Sequence, residues 1–137
     1  MKVSGIKKAV SNITLGGWVT DIPIEGLAGV AFKVRGVRNP DAVRLRAELL
    51  SDFPVEQRNT LPPETMNQVV SEILSRAVLL DWNLTGDDDE PIAFSPVAAL
   101  ELLNDPVIGE TLRSGIAYAS SVVAEHGRAS LEADVKN

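Results

Sequence analysis

The alternation of apolar and polar residues in the first third of the chain predicts two β-strands. Between residues 30 and 35 the two kinds of side chain alternate, which places Phe32 on an apolar face and Lys33 on a cationic one. Residues 18–24 form a second candidate strand, in which Pro23 favours the edge of a sheet. Glycines at positions 26 and 29 favour a turn between them, so the pattern indicates an N-terminal β-hairpin.

Apolar stripes with a helical period dominate the rest of the chain. The strongest stripe runs from Met66 to Val78 and predicts the core helix, which is expected to end at residues 79–82. This stripe is more typical of a core face than of a groove for a partner. The other helix starts are indicated by a capping side chain followed by proline, at Asn39-Pro40, Ser95-Pro96 and Asp105-Pro106. The last helix is expected to stop at Gly127.

Taken together, these elements predict a mostly α-helical α+β fold with an N-terminal β-hairpin packed on about four helices. The length of 137 residues and the 45% content of hydrophobic residues fit one compact domain. We expect this single domain at residues 1–125 and a flexible C-terminal tail at residues 126–137. Phe32, Leu74 and Trp82 are expected in or beside the core, together with Trp18. An exposed Trp18 would instead be a candidate partner contact.

The distribution of charge suggests that copies of the chain associate. Residues 1–50 carry eight basic and four acidic residues, whereas residues 51–103 carry two basic and ten acidic residues. Unlike charges on two flanks favour a head-to-tail contact that forms a ring or a helical oligomer. We expect cations of one copy to meet acidic residues of the next, the two sets being Lys33, Arg35 and Arg38, and Asp87, Asp88, Asp89 and Glu90. A scatter of solvated charge is the alternative.

The residue types leave little material for catalysis or for a bound cofactor. The chain has no cysteine and a single histidine, His126, which removes thiolate sites and a histidine-based triad from consideration. Residues 81–86 begin like a calcium loop, but Ile92 stands where its glutamate should complete the shell. There is no glycine-rich phosphate loop. We therefore expect no catalytic, metal-binding or cofactor-binding residues and no enzymatic activity.

The beginning of the chain predicts a location in the cytoplasm. Lysines at positions 2, 7 and 8 interrupt its apolar residues, so it lacks the apolar region of a secretion signal. No stretch approaches the roughly 20 apolar residues of a membrane span. The net charge of −6 disfavours nucleic acid as a partner. We expect neither membrane nor nucleic acid among the binding partners.

Several short segments occur in the order and spacing of a known viral family. They are Gly16-Gly17-Trp18, Phe32-Lys33-Val34-Arg35-Gly36, Asn39-Pro40-Asp41, Leu79-Leu80-Asp81-Trp82, Glu90-Pro91-Ile92-Ala93-Phe94-Ser95-Pro96 and Leu102-Leu103-Asn104-Asp105-Pro106. Together they resemble the tail assembly chaperones of long-tailed, lambda-like bacteriophages. The resemblance covers residues 12 to 112, and its specificity lies in the combination of segments.

The resemblance implies a non-enzymatic protein of the host cell cytoplasm that acts during phage tail assembly. Such chaperones bind the long, largely helical tape measure protein, keep it soluble and help to recruit tail tube subunits. They are absent from the finished virion. A small structural subunit of the tail or connector, which remains in the particle, is the alternative, and a small enzyme is a third reading that the residue types disfavour.

The family also implies a second, longer product made by programmed frameshifting, which would contact the tail tube protein. The chain ends in Val135-Lys136-Asn137, and lysine followed by asparagine is compatible with a slippery codon run. The same two residues also suit an ordinary soluble tail. The codon of Val135 decides between the two explanations, because the run requires that this codon end in A.

Overall fold

The computed structural model describes residues 2–4 and 15–136, with side chains as far as Glu125. A three-stranded antiparallel sheet lies near the N-terminus, with strands in the spatial order of the chain. The strands are β1 (Gly17–Val19), β2 (Phe32–Val34) and β3 (Leu79–Trp82). The helices are α1 (Pro40–Leu50), α2 (Pro63–Ile73), α3 (Pro96–Leu103) and α4 (Gly109–Lys136). This arrangement confirms the predicted mostly α-helical α+β fold.

The third strand corrects the prediction that residues 79–82 end the core helix. After α2 the chain makes a π-helical turn at Leu74–Val78, and Leu79 then adopts extended backbone with φ −75° and ψ 129°. β3 pairs with β2, which places Trp82 opposite Phe32. A short apolar run suits a buried helix and a buried strand equally well. Pairing with a strand more than forty residues earlier in the chain decides between them.

The first strand is also shorter than the predicted segment of residues 18–24. After Val19 the chain leaves the sheet, and the connection to β2 buries Ile22 and Leu27 in the core. Gly26 and Gly29 have φ values of 94° and 76°, and they form the turns of this connection. Residues that carry a side chain rarely adopt such positive φ values. The β1–β2 pair is thus the predicted hairpin with a long, packed connection.

Two of the predicted capping side chains cap their helices directly. The Asn39 side chain accepts a hydrogen bond from the Ala42 amide at 3.0 Å at the start of α1. The Ser95 hydroxyl accepts one from the Ala98 amide at 3.0 Å at the start of α3. Both helices have proline as their first residue, as the sequence pattern predicts.

The third capping residue, Asp105, acts one turn before α4. Its carboxylate accepts hydrogen bonds from the amides of Val107 at 2.7 Å and Ile108 at 3.1 Å, and α4 begins at Gly109. These two amides, Val107 foremost, hold the pKa of the Asp105 carboxyl below its ordinary value. The predicted signal is therefore present, but it organises a turn that leads into the helix.

The end of α4 corrects a second prediction, because the helix does not stop at Gly127. Its backbone continues as a helix to Lys136. A glycine inside a helix costs only about 1 kcal/mol relative to alanine, and neighbouring residues of high helix propensity offset that cost. The flexibility expected of residues 126–137 stays a prediction.

The core lies where the inner face of the sheet meets the helices. Phe32, Leu74 and Trp82 are buried, as predicted, and Phe32 has no exposed surface. Trp18 is 50% exposed and lies outside the core. α4 packs so closely on the β1–β2 connection that a β-carbon at Gly115 would overlap the Leu27 side chain. Within the described residues, no helix combines the length and the apolar character needed to cross a membrane.

Candidate partner-binding surface

The outer face of the sheet carries Trp18, the residue predicted as a partner contact if exposed. The strand register places Lys33 of β2 opposite Trp18 on one side and opposite Asp81 of β3 on the other. Phe32 and Val34, on either side of Lys33, point into the core. The indole of Trp18 is half exposed and neighbours a cationic residue, so it is accessible to a partner.

The three cations predicted for self-association have different surroundings. The Arg35 guanidinium forms an ion pair with Asp41 at 2.9 Å, and the Arg35 side chain is only 14% exposed. Asp41 also pairs with Arg44 at 3.4 Å. Arg35 is thus engaged within its own chain. Arg38 is exposed and Lys33 is partly exposed, so these two are the more accessible members of the set.

The acidic residues predicted for self-association form one tight turn, the acidic turn, between β3 and α3. The Gly86 amide donates to the Glu90 carbonyl at 2.9 Å, and Thr85 and Pro91 bridge at its base. All four of its side chains are exposed, namely Asp87, Asp88, Asp89 and Glu90. Neither Lys33 nor Arg38 forms an ion pair with this turn among the described residues. Contact between these charges in different copies stays a prediction.

The segment that begins like a calcium loop has a structural role. The Asn83 side chain accepts a hydrogen bond from the Ala31 amide at 2.8 Å and donates one to the Gly29 carbonyl at 2.9 Å. It thereby fastens the β1–β2 connection to the end of β3. In the part of the chain that the structure describes, no three histidine, cysteine or acidic residues are grouped to hold a metal ion. His126 lies outside the residues with described side chains.

A groove of about 670 Å³ lies between α1, α2 and α4, and we name it the apolar groove. Its floor is made of buried apolar side chains, and its walls are made of partly or fully exposed ones. The lining residues are Val37, Arg38, Ala42, Val43, Arg46, Val70, Ile73, Leu74 and Ala117. Small alanines at two of these positions leave room for the side chains of a partner.

Two valines at the groove leave apolar surface in contact with water. Val37 is 45% exposed and Val43 is 56% exposed, and both line the groove together with the buried Ala42. Single exposed valines are ordinary on protein surfaces. Their clustering in a concave, apolar site is typical of a surface that binds a partner.

The rim of the apolar groove is positively charged. Arg38 and Arg46 both line it and both are exposed. Neither takes part in an ion pair within the described residues, whereas the nearby Asp41 is paired with Arg35 and Arg44. The groove therefore presents two available guanidinium groups above an apolar floor.

The apolar groove continues along α2 into a neighbouring depression of about 430 Å³. Val70 and Ala117 line both, and the depression adds the polar Asn67 and Ser114 together with the charged Arg113 and Glu110. From Asn67 to Leu74 the chain advances about 10 Å along its helical axis. The combined surface is thus about two helical turns long and becomes more polar toward one end.

Two valines of the sequence stand in surroundings that are unusual for core residues. Val43 stands next to Ala42 but outside the apolar stripe of α1, and Val37 lies between two arginines. Apolar residues in such cationic surroundings have no evident core role. Val70 belongs to the core-helix stripe, and one edge of that stripe also lines the groove. The sequence could not show that α1, α2 and α4 leave a gap between them.

Comparison with known proteins gives one family. Residues 39–137 match the family described as YdaY prophage protein. The matched region contains helices α1 to α4, the acidic turn and the apolar groove apart from Val37 and Arg38. No curated protein and no solved structure matches the chain.

Proposed function

The chain belongs to the family of YdaY prophage proteins and is therefore phage-derived, and from this premise we propose that it is a chaperone of phage tail assembly. In this proposal it acts without catalysis in the host cytoplasm. It binds the tape measure protein, keeps it soluble, and helps to recruit tail tube subunits before it leaves the particle.

The observation that carries the proposal is the apolar groove. A long helical protein without its partners exposes apolar stripes, which aggregate unless another apolar surface covers them. The groove offers an apolar floor with exposed valines at its edge on a small protein with a net charge of −6. Such a net charge favours the solubility of a complex between this chain and the long helical protein.

The resemblance of residues 12–112 to tail assembly chaperones supports the finer part of the proposal. Two of the segments that carry the resemblance contain residues with a structural role. Asn39 caps α1 and Ser95 caps α3. Their presence therefore also follows from the needs of the fold. The prophage family and the groove support the proposal independently of these segments.

Co-expression with the tape measure protein encoded in the same prophage tests the proposal. We expect the wild-type chain to increase the soluble fraction of the tape measure protein and to co-purify with it. Because the chain is proposed to act by binding and not by catalysis, the soluble fraction of the tape measure protein should rise with the amount of chain that is co-expressed. Unchanged solubility at equal expression would contradict the proposal.

Val43 provides a variant for this experiment and Val97 its control. Val43→Ser removes apolar surface from the groove wall and should reduce the soluble fraction of the tape measure protein. Val97→Ser makes the same change at an exposed valine of α3 that does not line the groove. It should behave as the wild type, because the affected surface differs while the chemical change is identical.

A further inference from the structure

We propose that the apolar groove binds one amphipathic α-helix of the partner whose apolar stripe is flanked by acidic residues. This inference rests on the proposed function, because it assigns the partner-binding surface of the same chaperone. It specifies the shape, the apolar pattern and the charge of the segment that is bound.

The shape of the groove favours a helix. The groove is bounded by helices α1, α2 and α4, and a further element laid between helices packs best when it is itself helical. The apolar groove and its adjoining depression together extend about 10 Å along α2. Apolar residues at positions i, i+4 and i+7 of a bound helix span the same length of about 10 Å.

The lining explains the apolar pattern of the bound helix. Ala42 and Ala117 keep the groove open, while Ile73 and Leu74 provide a buried apolar floor. A leucine-sized side chain that enters the groove leaves water for apolar contacts. The adjoining depression is polar and carries both signs of charge, so it suits the end of the bound stripe; its added residues are Asn67, Glu110, Arg113 and Ser114.

The rim explains the charge of the bound helix. Arg38 and Arg46 are exposed and free of ion pairs within the described residues. A guanidinium group binds a carboxylate through two parallel hydrogen bonds, a geometry that a lysine or a neutral side chain does not provide. Acidic residues beside the apolar stripe therefore complement both arginines.

The acidic turn of a second copy is a poorer occupant. It offers four consecutive charged side chains and no apolar one, so it would satisfy the arginines but leave the floor exposed. The lining requires apolar and acidic groups together. We therefore assign the groove to a different protein, and a second copy becomes an outcome of the test.

Binding of two matched peptides to the full chain tests the proposal. Both are side-chain cross-linked helices of about three turns with leucines at i, i+4 and i+7, flanked in one by glutamates and in the other by lysines. We expect the glutamate peptide to bind and the lysine peptide to bind at least about tenfold more weakly. Methyl signals of Val37 and Val43 in NMR spectra should shift on binding. Equal affinities, or no binding of the glutamate peptide, would overturn the proposal.

Arginine variants locate the binding and control for folding. The double variant Arg38→Gln and Arg46→Gln should lose about tenfold or more in affinity for the glutamate peptide. Arg44→Gln removes one positive charge from α1 at an arginine that does not line the groove and should bind as the wild type. Circular dichroism must show equal helix content in all three chains. An equal loss in both variants would contradict the role of the groove.

The same variants separate this proposal from the proposed function. If the double variant solubilises the tape measure protein as well as the wild type does, the groove assignment fails and the chaperone function stands. If the glutamate peptide binds in the groove but the wild type does not solubilise the tape measure protein, the chaperone function fails instead. Self-association that Val43→Ser abolishes would identify a second copy as the occupant and overturn the assignment.

Discussion

At the scale of single residues, Asn39 connects three parts of the fold. It has no exposed surface, and its side chain caps α1 by accepting from the Ala42 amide. Its side-chain nitrogen Nδ2 donates hydrogen bonds to the carbonyls of Gly36 at 2.7 Å and Ala77 at 2.8 Å. The same side chain therefore starts α1 and fixes it to the π-helical turn before β3. The sequence predicted the capping role, but not the hydrogen bonds that the side chain donates to the Gly36 carbonyl nearby and to the distant Ala77 carbonyl.

Asn39→Ala should therefore destabilise the protein more than loss of an ordinary helix cap. We expect about 2 to 4 kcal/mol in the free energy of unfolding, since the cap contributes about 1 kcal/mol and buried carbonyls lose their donors. Ser95→Ala removes the cap of α3 without those further bonds and should cost about 1 kcal/mol. Urea denaturation of the two variants measures both values. Equal losses would contradict the connecting role of Asn39.

At the scale of elements, local signals and distant contacts determined different parts of the fold. Helix starts followed from capping residues and prolines, because those signals act within one turn. The third strand could not be predicted from local signals, because residues 79–82 become a strand only by pairing with β2. The apolar groove could not be predicted from them either, because it depends on the spacing of α1, α2 and α4.

The start of α4 gives a prediction on pH. The pKa of Asp105 in the folded chain lies below its ordinary value of 3.8, owing to hydrogen bonds from the Val107 and Ile108 amides. The ionised carboxylate therefore stabilises the folded chain above that ordinary value, and the contribution is lost as the pH falls through the lowered pKa. Asp105→Asn keeps a hydrogen-bond acceptor without the charge. The stability advantage of the wild type over this variant should be present at neutral pH and shrink in acid.

Thermal unfolding of wild type and Asp105→Asn across this range checks the prediction. Asp21→Asn, at an exposed aspartate outside the helices, serves as the control for a general loss of negative charge. A difference between wild type and Asp105→Asn that stays constant with pH would show that the charge of Asp105 does not stabilise α4.

At the scale of the whole molecule, the acidic turn and the cationic rim of the apolar groove lie on different elements. The acidic turn lies between β3 and α3, while Arg38 and Arg46 lie at the apolar groove and Lys33 lies on the sheet. This arrangement permits the apolar groove to hold a helical partner while the acidic turn and Lys33 meet copies of the chain, whereas Arg38 belongs to the rim of the groove. A chaperone that covers a long protein in many copies needs both, and the prophage family supplies the biological setting.

Self-association through these charges should depend on salt. Exposed ion pairs are screened within about 8 Å at physiological ionic strength, so light scattering should detect larger species at low salt than at high salt. Substituting Asp87, Asp88, Asp89 and Glu90 by their amides should remove the larger species, and Glu56→Gln, outside the turn, should not. A monomer at every salt concentration would contradict the predicted contact, and oligomers that are insensitive to salt would indicate an apolar one.

Quantitative mass spectrometry of an induced lysogen that carries this gene tests the central claim most directly. The measurement compares the ratio of this chain to the tape measure protein in assembly intermediates and in purified particles. The chaperone account predicts many copies of the chain per tape measure protein in the intermediates and none in the particles. A fixed number of copies in purified particles would contradict the account and identify the chain as a structural subunit.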